Sequence, residues 1–223
     1  FTDLAPLEAL EEVSVRYVSS PAEFGNPDAV ILPGTKNTIS DLLWMRQNGL
    51  EARVLKHSAQ NKPVFGICGG YQMLGETICD PYQVENGGSM KGMGLLPAAT
   101  ELKQEKTRTQ VTGTFGEISG ALSGLSGKSV RGYEIHMGRS RGSHGALISV
   151  GNVYGSYVHG IFDEQEVADT ILKALCTKKG VSFESLGTFD ARAYKERQYD
   201  LLADAVRAGL DMPLIYRILN REV

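Results

Sequence analysis

The chain is short of cysteine and histidine, the residues from which disulfide frameworks and metal sites are built. It has three cysteines and four histidines among 223 residues. An odd number of cysteines at scattered spacing, with no C-x-x-C pair, gives neither a disulfide framework nor a zinc motif. The sequence therefore predicts a cytoplasmic protein without a bound metal.

Long apolar runs and an excess of either charge are missing as well. No hydrophobic run approaches the roughly 20 residues that span a bilayer, and no secretory signal pattern occurs at the start. The 23 Lys and Arg residues against 26 Asp and Glu residues give a net charge of −3, with no basic cluster. These absences argue against membrane and nucleic-acid partners. The remaining composition, 42% hydrophobic and 22% charged, is ordinary for a globular domain.

The most informative stretch is PVFGICGGYQML at residues 63–74. It opens with a short apolar run typical of a buried parallel strand, passes through Cys68 and two glycines, and ends with apolar residues at helical spacing. A strand, a sharp turn and a helix form a nucleophile elbow, here with Cys in the place of Ser. At a helix start the thiolate of Cys68 is favoured, and the amide of Gly69 can stabilise an oxyanion. The alternative is a buried, inert cysteine in a glycine-rich turn.

Strands and helices alternate over the first 80 residues. The apolar runs at 29–32 and 64–67 predict buried strands, residues 13–18 alternate as a third strand, and apolar patterns at helical spacing separate them. This order predicts an α/β fold with a flavodoxin-like doubly wound parallel sheet. The ligand site of such a sheet lies at the carboxyl ends of its strands.

The turn after the second predicted strand reads PGTKNT, residues 33–38, and would reach that same edge. An amide of Gly34 or Thr35 could be the second oxyanion donor beside Gly69. The alternative is a turn that only caps its own helix through one of its polar side chains.

From residue 80 to about 145 the pattern changes to glycine-rich loops between segments that alternate like antiparallel strands. We expect a small antiparallel extension beside the parallel sheet, with an exposed Gly/Ser-rich turn at 119–129. A hairpin or edge strand at 151–158 then leads to His159. The predicted strands of the extension lie at 108–117 and 131–138. The helices predicted after them lie at 164–178, 191–206 and 213–219.

His159 provides the base that a thiol at an elbow requires. It follows a predicted strand end, so it would lie with Cys68 at one edge of the sheet, the arrangement used for covalent acyl transfer. With both residues in place, the sequence resembles the class I glutamine amidotransferases and, more narrowly, the glutaminase domains of the cobyric acid synthase family. The matching strings are LPGTKNT at 32–38, GGYQMLG at 69–75, YEIHMG at 133–138, VHGIFD at 158–163 and KERQYD at 195–200.

One position departs from the general class I pattern, which has Glu two residues after the histidine. Here that residue is Ile161. The resemblance to the cobyric acid synthase branch therefore implies a Cys68–His159 dyad. Asp163 is an alternative partner for His159, although an Asp just before a helix is more often its N-cap.

The resemblance implies a glutaminase domain across residues 1–223. Cys68 would attack the side-chain amide carbon of glutamine, and His159 would protonate the departing ammonia and then activate water against the thioester. Gly34, Thr35 and Gly69 would stabilise the oxyanion. The residues predicted to line the glutamine pocket are Gln72, Tyr133, Glu134 and His136. Arg108 is a further candidate, as the partner of the glutamine carboxylate; the alternative is a solvated charge on an edge strand.

The resemblance also implies a preceding ATP-dependent synthetase domain in the same polypeptide. That domain would use the ammonia to convert adenosylcobyrinic acid a,c-diamide to cobyric acid in cobalamin biosynthesis. The chain begins at Phe1 in what reads as the middle of a loop, so we expect a fragment that lacks this domain. Because no G-x-x-x-x-G-K-[ST] string occurs, we expect no cofactor here and assign ATP and Mg²⁺ to the synthetase.

Two other functions fit parts of the pattern. One is the glutaminase of a related synthetase, either cobyrinic acid a,c-diamide synthase or the lipid II amidotransferase. The other is a catalytically silent α/β scaffold that only binds a partner. The turn at 33–38 favours the cobyric acid synthase branch, and the presence of both Cys68 and His159 argues against the scaffold.

Overall fold

The computed structural model describes residues 2–142, 145–185 and 190–222. The chain divides into two units, Phe1–Phe189 and Asp190–Val223. The first unit contains the strands, which form two four-stranded sheets. The strands are β1 Val30–Leu32, β2 Val64–Ile67, β3 Thr77–Asp80, β4 Gly88–Lys91, β5 Ala99–Thr114, β6 Ser129–Arg141, β7 Ile148–Val150 and β8 Val153–Ser156.

The first sheet has the order β1-β2-β8-β7. Strands β1, β2 and β8 are parallel, and β7 is antiparallel to β8. All four residues of β2 are buried, as expected for a strand covered on both faces. The predicted α/β parallel sheet is confirmed, and β8 lies inside the sheet as the partner of β2 and not at its edge.

Helices cover the first sheet on both faces. Successive side chains of β2 point to opposite faces, so Val64 joins one core cluster while Phe65 and Ile67 join another. We call these the Val64 core and the Phe65 core. The helices of the first unit are α1 Ala5–Glu8, α2 Thr38–Asn48, α3 Leu50–Ala59, α4 Gly69–Leu74 and α5 Gln165–Lys179.

Helix α2 begins and ends at the residues that its sequence favours. The side chain of Asn37 accepts a hydrogen bond from the Ser40 amide at 2.9 Å, which caps the amino end. Gly49 ends the helix with a φ of +86°, a conformation that L side chains rarely adopt. The turn at 33–38 therefore does cap its own helix, and this does not prevent it from reaching the site described below.

The second sheet has the order β4-β3-β5-β6. Its long β5–β6 ladder is antiparallel, with a register shift between Leu102 and Thr107, whereas β3 and β5 are parallel. The predicted extension is therefore mainly antiparallel, but it has as many strands as the parallel sheet.

Residues 13–18 form neither helix nor strand, so the strand predicted there is wrong. The alternation is present in the sequence, but a strand needs a neighbour whose peptide groups it can bind. A cavity separates this segment from β1.

The exposed turn predicted at 119–129 is also wrong. Residues Gly120–Leu125 form a short 3₁₀ helix whose Leu122 and Leu125 are buried in the Phe65 core. The amide of Leu122 donates to the hydroxyl of Tyr154 at 3.1 Å. Two leucines three residues apart reach the same side of a 3₁₀ helix, and this apolar spacing outweighs the glycines and serines around them.

The second unit consists of α6 Ala191–Gly209 and α7 Met212–Leu219. Each begins after an aspartate, Asp190 or Asp211, whose side chain accepts the amide of the residue three positions later, at 2.9 and 3.0 Å. Both helices predicted in this region are confirmed. Among the helices of the described ranges, none is long and apolar enough to cross a membrane.

Close backbone approach around α4 leads to a stability prediction. A Cβ at Gly70 would lie 2.0 Å from the carbonyl oxygen of Leu32, and this clash can be relieved only by a shift of the backbone. Overpacking costs about 1–3 kcal/mol and occasionally more, so we expect Gly70→Ala to lower the free energy of unfolding by the upper end of that range. Urea titration followed by circular dichroism measures it. Gly113→Ala is the control, because nothing lies within 4 Å of a Cβ there; equal midpoints for the two variants would contradict the analysis.

Candidate active site

Cys68 occupies the turn between β2 and α4 with a φ of +52° and a ψ of −109°. For a residue other than glycine, this backbone conformation costs of order 1–3 kcal/mol in strain, and it persists only where the surrounding structure enforces it. Two hydrogen bonds do so, from the Cys68 amide to the Ser156 carbonyl at 2.8 Å and from the Gln72 amide to the Cys68 carbonyl at 3.1 Å. The predicted strand, strained turn and helix are therefore present, with the thiol at the turn.

The turn after β1 packs directly against this elbow. A Cβ at Gly34 would lie 3.0 Å from Cε1 of His159 and 3.6 Å from Cβ of Cys68. A Cβ at Gly69 would lie 3.1 Å from the backbone nitrogen of Thr35. The structure thus brings the three residues predicted for the oxyanion hole together around the cysteine, and their role in binding an oxyanion stays a prediction.

His159 follows β8 and joins the two sheets. Its amide donates to the Tyr133 carbonyl at 2.8 Å, and the Tyr133 amide donates back to the His159 carbonyl at 3.1 Å. The two rings stack with centroids 5.2 Å apart and an interplanar angle of 19°. This bridge to β6 fixes the backbone of His159, whose imidazole interacts with the thiol of Cys68.

A third residue, Asp3, completes the arrangement. Its Oδ2 lies 2.8 Å from Nδ1 of His159, and its Oδ1 accepts the Gly160 amide at 2.7 Å. With 8% of its surface exposed, Asp3 is a buried carboxylate whose two oxygens are both engaged. The Cys–His dyad implied by the sequence is therefore extended to Cys68, His159 and Asp3, and the carboxylate that reaches the imidazole is not that of Asp163.

Sequence reasoning missed Asp3 because it lies 156 positions before its partner. It stands next to a short acidic segment, where an aspartate is expected on the surface. The one available signal was indirect: Ile161 cannot orient an imidazole, so an acceptor had to come from elsewhere in the chain.

Electrostatics at the three residues favour a protonated imidazole. The hydrogen bond to Asp3, followed by the one to Cys68, raises the pKa of His159 to about 9, although burial opposes the shift. For Asp3, burial raises the pKa, but the hydrogen bonds from His159 and the Gly160 amide outweigh it and hold the pKa below its ordinary value. At neutral pH, Nδ1–H is therefore directed at Asp3, and Nε2 carries a second proton on the side of the thiol.

Gln72, a predicted substrate contact, is buried beside the elbow and engaged within the protein. Its Oε1 accepts from the Thr38 hydroxyl at 3.0 Å, and its Nε2 donates to the Tyr157 hydroxyl at 3.2 Å. These bonds connect α4 to the start of α2 and to the end of the parallel sheet. Gln72 therefore positions the elbow, and whether it also contacts glutamine stays a prediction.

Strand β6 passes over the thiol, since Sγ of Cys68 lies 3.8 Å from the Ile135 carbonyl. On either side of Ile135, Glu134 and His136 form a pair, with Oε2 and Nε2 3.2 Å apart. The Glu134 side chain is 25% exposed, and its predicted contact with glutamine stays a prediction. Arg108 of β5 lies opposite Ile135 in the ladder and is exposed, and its guanidinium makes no hydrogen bond or ion pair to the residues that the structure describes.

Known proteins resemble this chain in sequence and in fold. The profile of the CobB/CobQ-like glutamine amidotransferase domain matches residues 1–167. The chain belongs to this family. The CobB/CobQ-like chain is 52% identical to a cobyric acid synthase of Ruminiclostridium cellulolyticum, over 100% of this chain and 47% of the relative. It is 48% identical to a cobyric acid synthase of Lachnoclostridium phytofermentans, over 100% of this chain and 48% of the relative. The chain thus spans about half the length of the curated relatives it matches.

Two solved structures are similar to this CobB/CobQ-like domain. A glutamine amidotransferase structure has a TM-score of 0.53 at 17% identity, over 79% of this chain and 91% of the other. The PurLQS structure from Thermotoga maritima has a TM-score of 0.51 at 16% identity, over 80% and 92%. At these identities the likeness concerns the fold alone, and it confirms the predicted α/β amidotransferase architecture.

The bond between Asp3 and His159 leads to a pH prediction. Asp3→Asn keeps an oxygen acceptor but removes the negative charge, so the pKa of His159 should fall from about 9 towards its ordinary value of 6.5. A raised folded-state pKa stabilises the fold fully below about pH 6.5 and loses this contribution as the pH rises through about 9. Nuclear magnetic resonance titration of the His159 ring measures the midpoint. Asp163→Asn is the control and should leave it unchanged; an unshifted midpoint in Asp3→Asn would show that Asp3 does not set the pKa.

Proposed function

We propose that this chain is the glutaminase domain of a cobyric acid synthase and supplies ammonia from glutamine to an ATP-dependent amidation. The observation that carries the proposal is the assembly of Cys68, His159 and Asp3 at one strained turn. It occurs in a member of an amidotransferase family that is 52% identical to a cobyric acid synthase over the whole chain.

The geometry supports a two-step reaction. Sγ of Cys68 attacks the side-chain amide carbon of glutamine as a thiolate paired with the protonated imidazole of His159. The resulting oxyanion accepts hydrogen bonds from the amides of Gly69 and the 34–35 turn. The C–N bond then breaks, and Nε2–H of His159 gives its proton to the leaving nitrogen, which departs as ammonia. His159 next takes a proton from water, whose oxygen attacks the thioester. The C–S bond breaks, glutamate leaves with the second proton released to solvent, and the thiolate of Cys68 beside the protonated imidazole is restored. Asp3 stays hydrogen-bonded to Nδ1 and holds the ring in place.

Recognition of glutamine requires partners for one ammonium group and one carboxylate. Glu134 is the acidic residue next to Ile135, whose carbonyl contacts the thiol, so we assign it to the α-ammonium group. Tyr133, stacked on His159, and His136, paired with Glu134, shape the same wall. Arg108 is the candidate for the carboxylate, since a planar guanidinium suits it.

The ammonia is consumed outside this chain in our proposal. A synthetase domain of the same polypeptide, which would hold ATP and Mg²⁺, uses it to amidate adenosylcobyrinic acid a,c-diamide to cobyric acid. The chain covers 47% of its 52% identical relative, which leaves room for such a domain. The cytoplasmic location and the absence of membrane and nucleic-acid partners stay predictions.

The related synthetases are the second candidates, because the family description names both CobB-like and CobQ-like domains. The relatives at 52% and 48% identity, both named cobyric acid synthase, favour that branch. Supplying the longer polypeptide with adenosylcobyrinic acid a,c-diamide or with cobyrinic acid as acceptor separates the two reactions. A silent scaffold has no need of a buried carboxylate that raises the pKa of an imidazole beside a thiol.

Replacing the nucleophile should separate the two half-reactions. In the longer polypeptide, Cys68→Ala should abolish amidation with glutamine while free ammonia still supports it, because the synthetase chemistry does not need the thiol. The measurement is the rate of amide formation with each nitrogen source. Cys79→Ala is the matched control and should retain both rates. Glutamine-dependent activity of Cys68→Ala would contradict the mechanism.

Neutralising Glu134 should weaken glutamine binding more than catalysis. A hydrogen bond to a charged group is worth about 1.5–3 kcal/mol, so Glu134→Gln should raise the KM for glutamine by roughly 10- to 100-fold, with kcat changed far less. Glutaminase assays over a range of glutamine concentrations give both constants. Arg108→Ala is tested beside it: an unchanged KM there would remove Arg108 from the pocket, and an unchanged KM in Glu134→Gln would do the same for Glu134.

A further inference from the structure

The outer side of β1 is an open edge in the middle of an apolar core. β1 is the last strand of its sheet and pairs only with β2 among the described strands. The Val30 amide donates to the Pro63 carbonyl at 3.0 Å, which directs the peptide groups of Val30 towards β2. Peptide groups alternate in direction along a strand, so the N–H and C=O of Ile31 point to the opposite side, where β1 has no neighbouring strand.

A cavity of about 970 Å³ lies along this open side. The cavity is partly open to solvent, and its volume is far larger than the voids that packing leaves within protein interiors. Its lining includes Leu7 and Phe65 from the Phe65 core, and Leu50 and Val54 from the Val64 core. Because these two cores lie on opposite faces of the sheet, the cavity extends in the plane of the sheet between its two helical layers.

Residues 13–18 form the opposite wall of the cavity. Val13 and Val15 pack against the Phe65 core, whereas Val18 packs against the Val64 core. Apolar side chains on both faces are what a strand of this sheet would present, yet the segment forms none. The missing feature is a neighbour, since strands pair at a spacing of about 4.8 Å.

We propose that this cavity holds one more parallel strand, supplied by the residues that immediately precede Phe1 in the longer polypeptide proposed above. The strand lies between β1 and residues 13–18, binds the peptide groups of Ile31, and is apolar on both faces. A small apolar ligand would fill the volume and exclude water from the peptide groups of Ile31 without giving them partners, which is costly.

The position of Asp3 gives the direction of this strand. Asp3 binds His159 at the carboxyl edge of the parallel sheet, and Leu4 and Leu7 line the cavity. A strand that ends just before Phe1, two residues from Asp3, therefore ends near the same edge as β1 and runs parallel to it. The carboxyl end of this strand fixes the position of the residues that follow it. The strand therefore also positions the Asp3 carboxylate that orients His159.

Residue-resolved hydrogen exchange on the longer polypeptide tests the proposal. We expect the Ile31 amide to be protected to within about tenfold of the Val30 and Leu32 amides, which face β2 and are the internal controls. The readout does not depend on glutaminase activity, so the strand and the proposed function can fail separately. A freely exchanging Ile31 amide, or a natural polypeptide in which no residue precedes Phe1, would overturn the proposal.

A pair of substitutions provides an independent measurement in the same polypeptide. Ile31→Pro removes the N–H that faces the cavity, whereas Ile31→Val keeps it. Proline is tolerated on an open edge but not where a ladder bond is made, so Ile31→Pro should lower the Tm far more than Ile31→Val. Similar Tm values would contradict the strand. An apolar small molecule retained in native mass spectrometry, together with a freely exchanging Ile31 amide, would identify the cavity as a ligand pocket instead.

Discussion

The strained backbone at Cys68 is the constraint on which the rest of the site depends. A φ of +52° persists there because β8, the turn after β1 and helix α4 all bind the elbow through backbone hydrogen bonds. The glycines around Cys68 allow these backbone segments to pack closely, since a Cβ at Gly66 would lie 2.7 Å from the backbone of Gly70. The position of the thiol is thus a property of three strands and a helix, and no single loop could keep it.

Features encoded by neighbouring residues could be predicted from the sequence. The elbow, the buried strand before it and the capped helix α2 depend on patterns within about a dozen positions, and all three are present. Features made by distant residues could not. Asp3 acquires its role only through a partner 156 positions away, and residues 13–18 alternate like a strand but have no neighbour to pair with. The sequence pattern of a segment indicates which secondary structure it can form, and the segments that pack beside it in the fold determine whether it forms that structure.

The active site is divided between the two sheets, and this follows from one bridge. His159 belongs to the parallel sheet, yet its backbone is hydrogen-bonded to Tyr133 on β6 of the second sheet. The antiparallel ladder therefore does more than extend the fold, because it contains Glu134 and the Ile135 carbonyl that the thiol contacts. The parallel sheet provides the reactive groups, while the second sheet provides the surface against which a substrate would be held.

The contact between Asp3 and His159 has a consequence for how such domains can be separated. A gene break or proteolytic cut just before Leu4 would retain every strand described here but would discard the carboxylate. The thiol and imidazole would remain, but the imidazole would have lost the carboxylate that orients it. Where glutaminase and synthetase are encoded on separate chains, the point of division decides which subunit carries that aspartate. A three-residue difference could make the catalytic centre shared between subunits.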